Sequence, residues 1–278
     1  MKKLIKLITR VLIKFLTSSV KLKHYILEIL EQDPIEMEVK HQDINLRFMS
    51  LNNLTKYRID TFSSKEPKTL EWIDNFHEKS IFWDIGANIG LYSCYASKKI
   101  KNCKTFSFEP SVFNLEILAK NINLNNLNDK ITIIPISISD KDHENNFKLT
   151  TTKKGGAIST FGSTITFDGS NIDSVFEYKT IGMSLDSVLN QFSLSQPNYI
   201  KIDVDGIEHL ILEGADRYLG DDKLKSLSIE INENFTEQHD KALKIMKEYN
   251  FKILHKKQNR EMHKSSKHNN TFNYIFVR

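Results

Sequence analysis

From Ile81 onward, short apolar runs alternate with segments of helical period, and this constrains the fold more than any other feature of the chain. The runs are Ile81–Ile85, Thr105–Glu109, Ile131–Ile136, Tyr199–Val204 and Leu227–Ile231. The helical segments are Leu91–Lys99, Phe113–Asn123, Ile207–Glu213 and Thr236–Tyr249. Such alternation predicts an α/β fold with a doubly wound, mostly parallel sheet. The C-terminal "FKILHKK" and "TFNYIFVR" predict two more strands around a basic polar loop. The Gly/Ser/Thr-rich stretch from Thr151 to Ser174 departs from the scheme. A loop that long in a compact domain is expected to be functional or to carry small strands of its own.

Upstream, "EMEV", "INLRFMS" and "YRIDTF" read as short strands, and "KTLEWIDNF" as a helix leading to Ile81. The expected organisation is a basic amphipathic helix over 1–30, a small β-appendage over 31–66 and a main domain over 67–278. Residues 1–27 hold seven basic side chains and no acid; against a chain net of +4, that leaves −3 for the rest. A mildly acidic body argues against nucleic acid as partner. Lys6, Arg10 and Lys14 share one helical face, with Leu4, Ile5, Ile8, Val11, Leu12, Phe15 and Leu16 opposite. That face suits either peripheral contact with anionic lipid or packing on protein. Lys14 interrupts the apolar stretch and no small-residue cleavage site follows, so a signal peptide is not expected. No apolar run is long enough for a transmembrane helix. Two cysteines, Cys94 and Cys103, are too few for a disulfide framework and fit a cytoplasmic location.

The stretch "IFWDIGANIG" puts Asp84 at a strand end, Gly86 in the turn and Gly90 at the start of the next helix. A turn without side chains lets backbone N–H groups approach a ligand, and ligands of open α/β sheets sit at carboxyl strand ends. Glu109 ends the next strand, 19 residues after Gly90, where an acid can take both hydroxyls of a ribose. A dinucleotide fingerprint would be G-x-G-x-x-G, built for pyrophosphate. An acid with Gly-x-x-x-Gly instead favours a ligand with a ribose and a cationic, amino-bearing part, and S-adenosylmethionine has both. The candidate cofactor set is Asp84, Gly86, Asn88, Gly90, Glu109 and Asp140.

"IKIDVDGIEHL" carries a second signal. A parallel strand buried on both faces should be apolar, yet Lys201, Asp203 and Asp205 alternate with Ile200, Ile202 and Val204. Buried charges are costly unless paired, so that side is paired, wet or facing a ligand. Glu208 and Glu230 add acids near the same end. The candidate catalytic set is Asp203, first, with Glu208, Glu230 and Lys201. Asp203 and Glu230 together could also hold Mg²⁺, but two acids are thin evidence and no metal is expected. His209 and His239 could serve as bases but read more simply as solvated, and His255, His263 and His268 show no ligand spacing.

The blocks "FWDIGANIGLYS", "FSFEPSVFNLEILAKNINLNN", "SLDSVL", "IKIDVDGIEHLILEGA", "LSIEIN" and "NYIFVR" together resemble the FkbM family of class I, S-adenosylmethionine-dependent methyltransferases. The resemblance runs from about Ile81 to the C-terminus, and Asp205 stands where the family commonly has Glu. It implies a Rossmann-like domain that methylates an oxygen, on a sugar of a surface glycan or lipid-linked precursor. O-methylation of a small secondary metabolite, and a non-catalytic cofactor-binding protein at a membrane, are the other readings. An [Asp/Asn]-Pro-Pro-aromatic loop, used to grip the amino group of a base, is absent; the corresponding strand end reads "DVDG".

Overall fold

The computed structural model describes residues 2–16, 18–258 and 270–278. They form two compact units, residues 1–36 and 37–278. The first holds helices α1 (Lys2–Leu16) and α2 (Val20–Gln32). Along α1 the apolar side chains Leu4, Ile8, Val11, Leu12 and Phe15 are all exposed, Phe15 by 79%. No described helix is long and apolar enough to cross a membrane.

The second unit opens with a hairpin of β1 (Glu36–His41) and β2 (Ile44–Met49). Leu46, Phe48 and Met49 of β2 are buried in the main core. The Met49 N–H donates to Asn121 Oδ1 (2.8 Å) and the Arg47 N–H to Asn125 Oδ1 (3.0 Å), which ties the hairpin to a later helix.

"YRIDTF" is helical rather than extended, which corrects the sequence reading. It falls in α3 (Asn53–Asp60) and α4 (Phe62–Lys65), followed by α5 (Pro67–Asp74). The Asn52 side chain accepts from the N–H groups of Leu54 and Thr55, and the Thr55 hydroxyl accepts in return from the Asn52 N–H, a capping box that starts the helix. Thr55, Ile59 and Phe62 are buried at helical, not alternating, spacing. Pro67 opens α5, where its missing N–H costs nothing.

The main sheet has seven strands. Five are β3 (Ile81–Ile85), β4 (Lys104–Phe108), β5 (Ile131–Ile134), β10 (Tyr199–Ile202) and β11 (Ser226–Asn232); β12 (Lys252–Gln258) and β13 (Thr271–Val277) close one side. Their order is β12-β13-β11-β10-β3-β4-β5. Strands β3, β4, β5, β10 and β11 are parallel, and β13 runs antiparallel to β11 and β12. Helices α6 (Leu91–Lys99), α7 (Val112–Leu124), α9 (Glu208–Glu213) and α11 (Thr236–Glu248) fall within a few residues of their expected places, with the short α8 (Leu185–Phe192) and α10 (Asp216–Leu219) between.

Period-two alternation sorts the sheet's side chains. Trp83, Ile85, Ile200, Ile202, Ile229 and Ile231 join one core cluster, whereas Phe82 and Tyr199 join the other. Asp84, Lys201 and Glu230 lie on the Phe82 side, at strand ends. The strand order reverses between β3 and β10, and an open sheet splits into a crevice there.

A second, four-stranded sheet was not foreseen. β6 (Ser137–Ile138), β9 (Phe176–Met183), β7 (His143–Leu149) and β8 (Ser159–Phe161) pair in that order. The run expected to extend to Ile136 therefore leaves the main sheet after Ile134. β8 lies inside the Thr151–Ser174 stretch, which thus carries one small strand of its own.

Candidate active site

Both glycines of the first turn are demanded by the protein's own packing. Gly86 has φ +83°, and a Cβ there would lie 1.9 Å from the Asp203 carbonyl oxygen. Gly90, also at φ +83°, would drive a Cβ to 2.5 Å from Leu118 Cδ1 of α7. The turn thus packs its bare backbone against the loop after β10. Asp84 is fully buried; its Oδ2 accepts from Ser93 Oγ (2.6 Å) and its Oδ1 has no partner. Burial raises its pKa against the pull of Lys201, which lies opposite it in register. Asp84 lines neither cavity beside the turn.

A cleft begins at Gly86 and Asn88 and runs past Phe108, Glu109, Ile138 and Phe147. Glu109 is 4% exposed, and both its oxygens accept from backbone: Oε2 from Asn88 N–H (2.7 Å), Oε1 from Ser111 N–H (2.8 Å). Burial pushes its carboxyl up to about 7, against those two hydrogen bonds. The Thr151–Ser174 segment folds over the cleft. Asn88 Nδ2 and Asn114 Nδ2 donate to the Gly156 carbonyl (2.7 and 3.3 Å), and Gly155 N–H donates to Asn114 Oδ1 (2.9 Å). Asp140 lies outside this lining; its Oδ1 accepts from Ser139 Oγ (3.0 Å) and its Oδ2 is 3.7 Å from Lys141 Nζ.

At the end of β10, Lys201 and Asp203 do share a side and pair at 2.7 Å. Lys201 is 3% exposed and sits 5.0 Å over the Tyr92 ring. Burial opposes its charge, but Asp203, Asp84 and Glu66 together raise its pKa. Burial likewise opposes charge on Asp203, yet Lys201 and Lys65 hold its carboxyl below the ordinary range. Asp205 does not continue the alternation. At φ +65° it turns away, and its Oδ2 accepts from the N–H groups of Ile158 (2.8 Å) and Ser159 (3.3 Å). Burial and the nearby Asp203 push it up to about 6.

Of the other two acids, one joins this group and one does not. Glu230 is 8% exposed and lines a cavity of about 670 Å³ with Asp203 and Asp205. Burial and the charge on Asp203 raise its pKa well above normal. Glu208 is 1% exposed and lines neither cavity. It accepts from Val204 and Gly206 N–H (both 3.1 Å) and from Gln238 Nε2, fixing the loop from behind, and burial pushes it up to about 8.

Sequence reading missed Arg58, Lys65 and Glu66, which reach this region from α3, α4 and the residue after it. Read as strand and loop, "YRIDTFSSKEP" gave no reason to place them together; its capping box was the available signal. His209 is buried in α9 with Nδ1 unpartnered, His239 Nδ1 lies 2.8 Å from Asp240, and His255 is exposed on β12. His263 and His268 lie outside the described residues. Among the described residues no three His, Cys, Asp or Glu side chains converge as a metal cage.

The chemistry of the residues lining the cleft suits S-adenosylmethionine. Phe108, Ile138 and Phe147 offer apolar contact for a base, and Glu109 retains lone pairs for a ribose. The buried Asn88 Oδ1 has no partner.

Residues 84–253 match the methyltransferase FkbM domain. The chain is 28% identical over 145 residues to the hexuronic acid methyltransferase AglP of Haloferax volcanii, which covers 51% of this chain and 52% of that protein. The match therefore spans about half the relative's length. Among solved structures, a proposed S-adenosylmethionine-dependent methyltransferase of Streptococcus mutans aligns over 88% of this chain and 56% of its own, with TM-score 0.52 and 10% identity. Another proposed methyltransferase, solved with S-adenosylhomocysteine, aligns over 87% and 56%, with TM-score 0.52 and 9% identity. At such identities these likenesses show the Rossmann-like methyltransferase fold.

Proposed function

The chain belongs to the FkbM methyltransferase family, whose cofactor is S-adenosylmethionine, and from that premise we propose that it O-methylates a sugar hydroxyl. One observation carries the reading: Asp203 lines both the cleft that fits the cofactor and the larger cavity beside it. Methyl transfer needs an acceptor oxygen in line with the breaking bond and about 3 Å from the carbon, so the two ligands must meet at such a junction. The sugar assignment draws support from the hexuronic acid named for the relative.

When bound, S-adenosylmethionine supplies a methyl group on a sulfonium, already a good leaving group. Glu109 accepts from the ribose hydroxyls, and Phe108, Ile138 and Phe147 keep water from the base. Asp203 holds the acceptor hydroxyl and takes its proton as the carbon–oxygen bond forms and the carbon–sulfur bond breaks. A carboxylate of low basicity suffices, because the hydroxyl becomes strongly acidic as its oxygen is alkylated. Lys201 keeps Asp203 charged until then. Glu230, whose carboxyl is raised well above the ordinary range by burial and by Asp203, donates from its protonated form to an acceptor oxygen in the same cavity.

We also propose that α1 rests on anionic membrane, which would suit a lipid-linked sugar acceptor and a cytoplasmic enzyme. Its apolar side chains are exposed opposite Lys6, Arg10 and Lys14. The test of the central reading is incubation of labelled S-adenosylmethionine with uronic acid-containing glycans and with their neutral counterparts, followed by mass spectrometry. A gain of one methyl that alkali does not remove supports an ether on a hydroxyl. An alkali-labile gain, or none, defeats it.

A further inference from the structure

We propose that Arg58, Lys65 and Glu66 form the subsite for the α-amino-acid end of S-adenosylmethionine. The inference rests on the methyltransferase reading and adds a binding surface from before residue 84, outside the segment that matches the family.

The argument begins with space. A second pocket adjoins the cleft at the glycine turn: Gly86, Asn88 and Asp203 line both, and Arg58, Lys65 and Glu66 complete the second. A ligand whose ribose lies at Glu109 and whose chain passes over the turn ends in this second pocket. The ligand end in question is a zwitterion, one ammonium and one carboxylate on the same carbon.

The pocket's charges match that. Glu66 is 3% exposed, yet it stays ionised, because Lys65 at 3.0 Å and the nearby Lys201 outweigh its burial. It offers a fixed anion for an ammonium. Arg58 spends only Nε on the protein, donating to the Gly155 carbonyl at 2.7 Å. Its Nη1 and Nη2 make no hydrogen bond among the described residues. The guanidinium is thereby oriented while its fork remains available, the arrangement that binds a carboxylate bidentately. Lys65, bridging Glu66, adds a second cation beside the fork. A purely structural cluster would have used the Arg58 fork internally, since ordering a long side chain for one hydrogen bond is a poor return.

The same contacts explain why α3 and α4 sit here. Arg58 grips Gly155, and Gly156 is held by Asn88 and Asn114, so the segment covering the cleft and the helices before it meet over the turn.

The test compares two nucleosides that differ by the amino-acid end: S-adenosylhomocysteine, which has it, and 5′-methylthioadenosine, which lacks it. Calorimetry on the full chain should show wild type preferring S-adenosylhomocysteine. Arg58→Ala should lower S-adenosylhomocysteine affinity about 10- to 100-fold and leave 5′-methylthioadenosine within twofold. Glu66→Gln, checked for an intact thermal transition because its site is buried, should do the same. Wild type binding both nucleosides equally, or Arg58→Ala weakening both alike, overturns the subsite and leaves the methyltransferase reading standing. Wild type binding neither nucleoside defeats both.

Discussion

Lys201 Nζ, within β10, lies 2.7 Å from Oδ2 of Asp203, the first residue past that strand's end, and this pair joins a buried cation to a carboxylate on the cavity wall. Lys201 is 3% exposed, whereas the Asp203 side chain is 23% exposed. One partner belongs to the core and the other to the site, so a substitution at Asp203 perturbs both. Asp203→Asn should lower kcat about 10²–10⁴-fold while S-adenosylhomocysteine affinity changes less than tenfold. It should also reduce stability, by less than the 3–5 kcal/mol typical of breaking a buried pair, because Asp84 and Glu66 still face Lys201. Single-turnover methylation and thermal unfolding on the same preparation separate the two effects. A folded variant with wild-type single-turnover rate removes Asp203 as proton acceptor and moves that role to Asp205, which lines the same cavity.

Glu109 gives cofactor binding a pH dependence. Its carboxyl sits at about 7 in the unliganded protein, and the ionised form is the better acceptor for two ribose hydroxyls. S-adenosylhomocysteine affinity should therefore rise between pH 6 and 8 and level off above. Glu109→Gln should flatten that profile and cost about 1.5–3 kcal/mol of binding at pH 8. Calorimetry at pH 6, 7 and 8 checks it; a wild-type affinity indifferent to pH would show that Glu109 does not hold the ribose.

What the sequence made legible was the part governed by local pattern. Apolar runs buried on both faces placed β3, β4, β10 and β11 within a residue or two, and the alternation in "IKIDVD" exposed the Lys201–Asp203 pair. The glycine spacing located the turn but not its cause: Gly86 is bare because the Asp203 carbonyl passes over it, a contact 117 residues away in sequence. Asp84 and Glu208 looked like site acids because they end or follow strands, but hydrogen bonds to Ser93 and to the loop amides turn them inward. Arg58, Lys65 and Glu66 stayed invisible for the opposite reason. Thr55, Ile59 and Phe62 make one short buried stripe, and six residues of it can pass for an edge strand when the capping Asn52 is overlooked.

Glu208 should make the folded state sensitive to alkali. Its folded carboxyl lies at about 8, raised from an ordinary 4.5 by burial. The native form keeps a proton that the unfolded chain releases, so this stability is fully present below about pH 4.5. It is lost as pH rises through 8. Asp205 and Glu109 act in the same direction over lower windows, ending at about 6 and about 7. Glu208→Gln stays neutral and retains one oxygen, placed as Oε1, within reach of the Val204 (3.1 Å) and Gly206 (3.3 Å) amides. Relative to wild type, the variant should gain on the order of 2 kcal/mol between pH 6 and pH 9. Urea unfolding at the two pH values measures this; parallel losses in both proteins would assign the alkaline sensitivity elsewhere.

The amphipathic α1 predicts salt-dependent membrane binding. Lys6, Arg10 and Lys14 recur every four residues, while Leu4, Ile8, Val11, Leu12 and Phe15 lie opposite and are exposed. Each basic side chain near an anionic surface contributes about 1 kcal/mol at low ionic strength, and the apolar face adds burial in the interface. Full-length protein should sediment with vesicles containing phosphatidylglycerol and not with neutral phosphatidylcholine vesicles. Raising salt to about 0.5 M, where the screening length falls below about 5 Å, should release most of it. Replacing Lys6, Arg10 and Lys14 with Glu should abolish sedimentation while S-adenosylhomocysteine affinity in solution stays within twofold, because the charges act on the surface and not on the cleft. Wild-type protein that remains in the supernatant with anionic vesicles at low salt would refute the membrane role of α1.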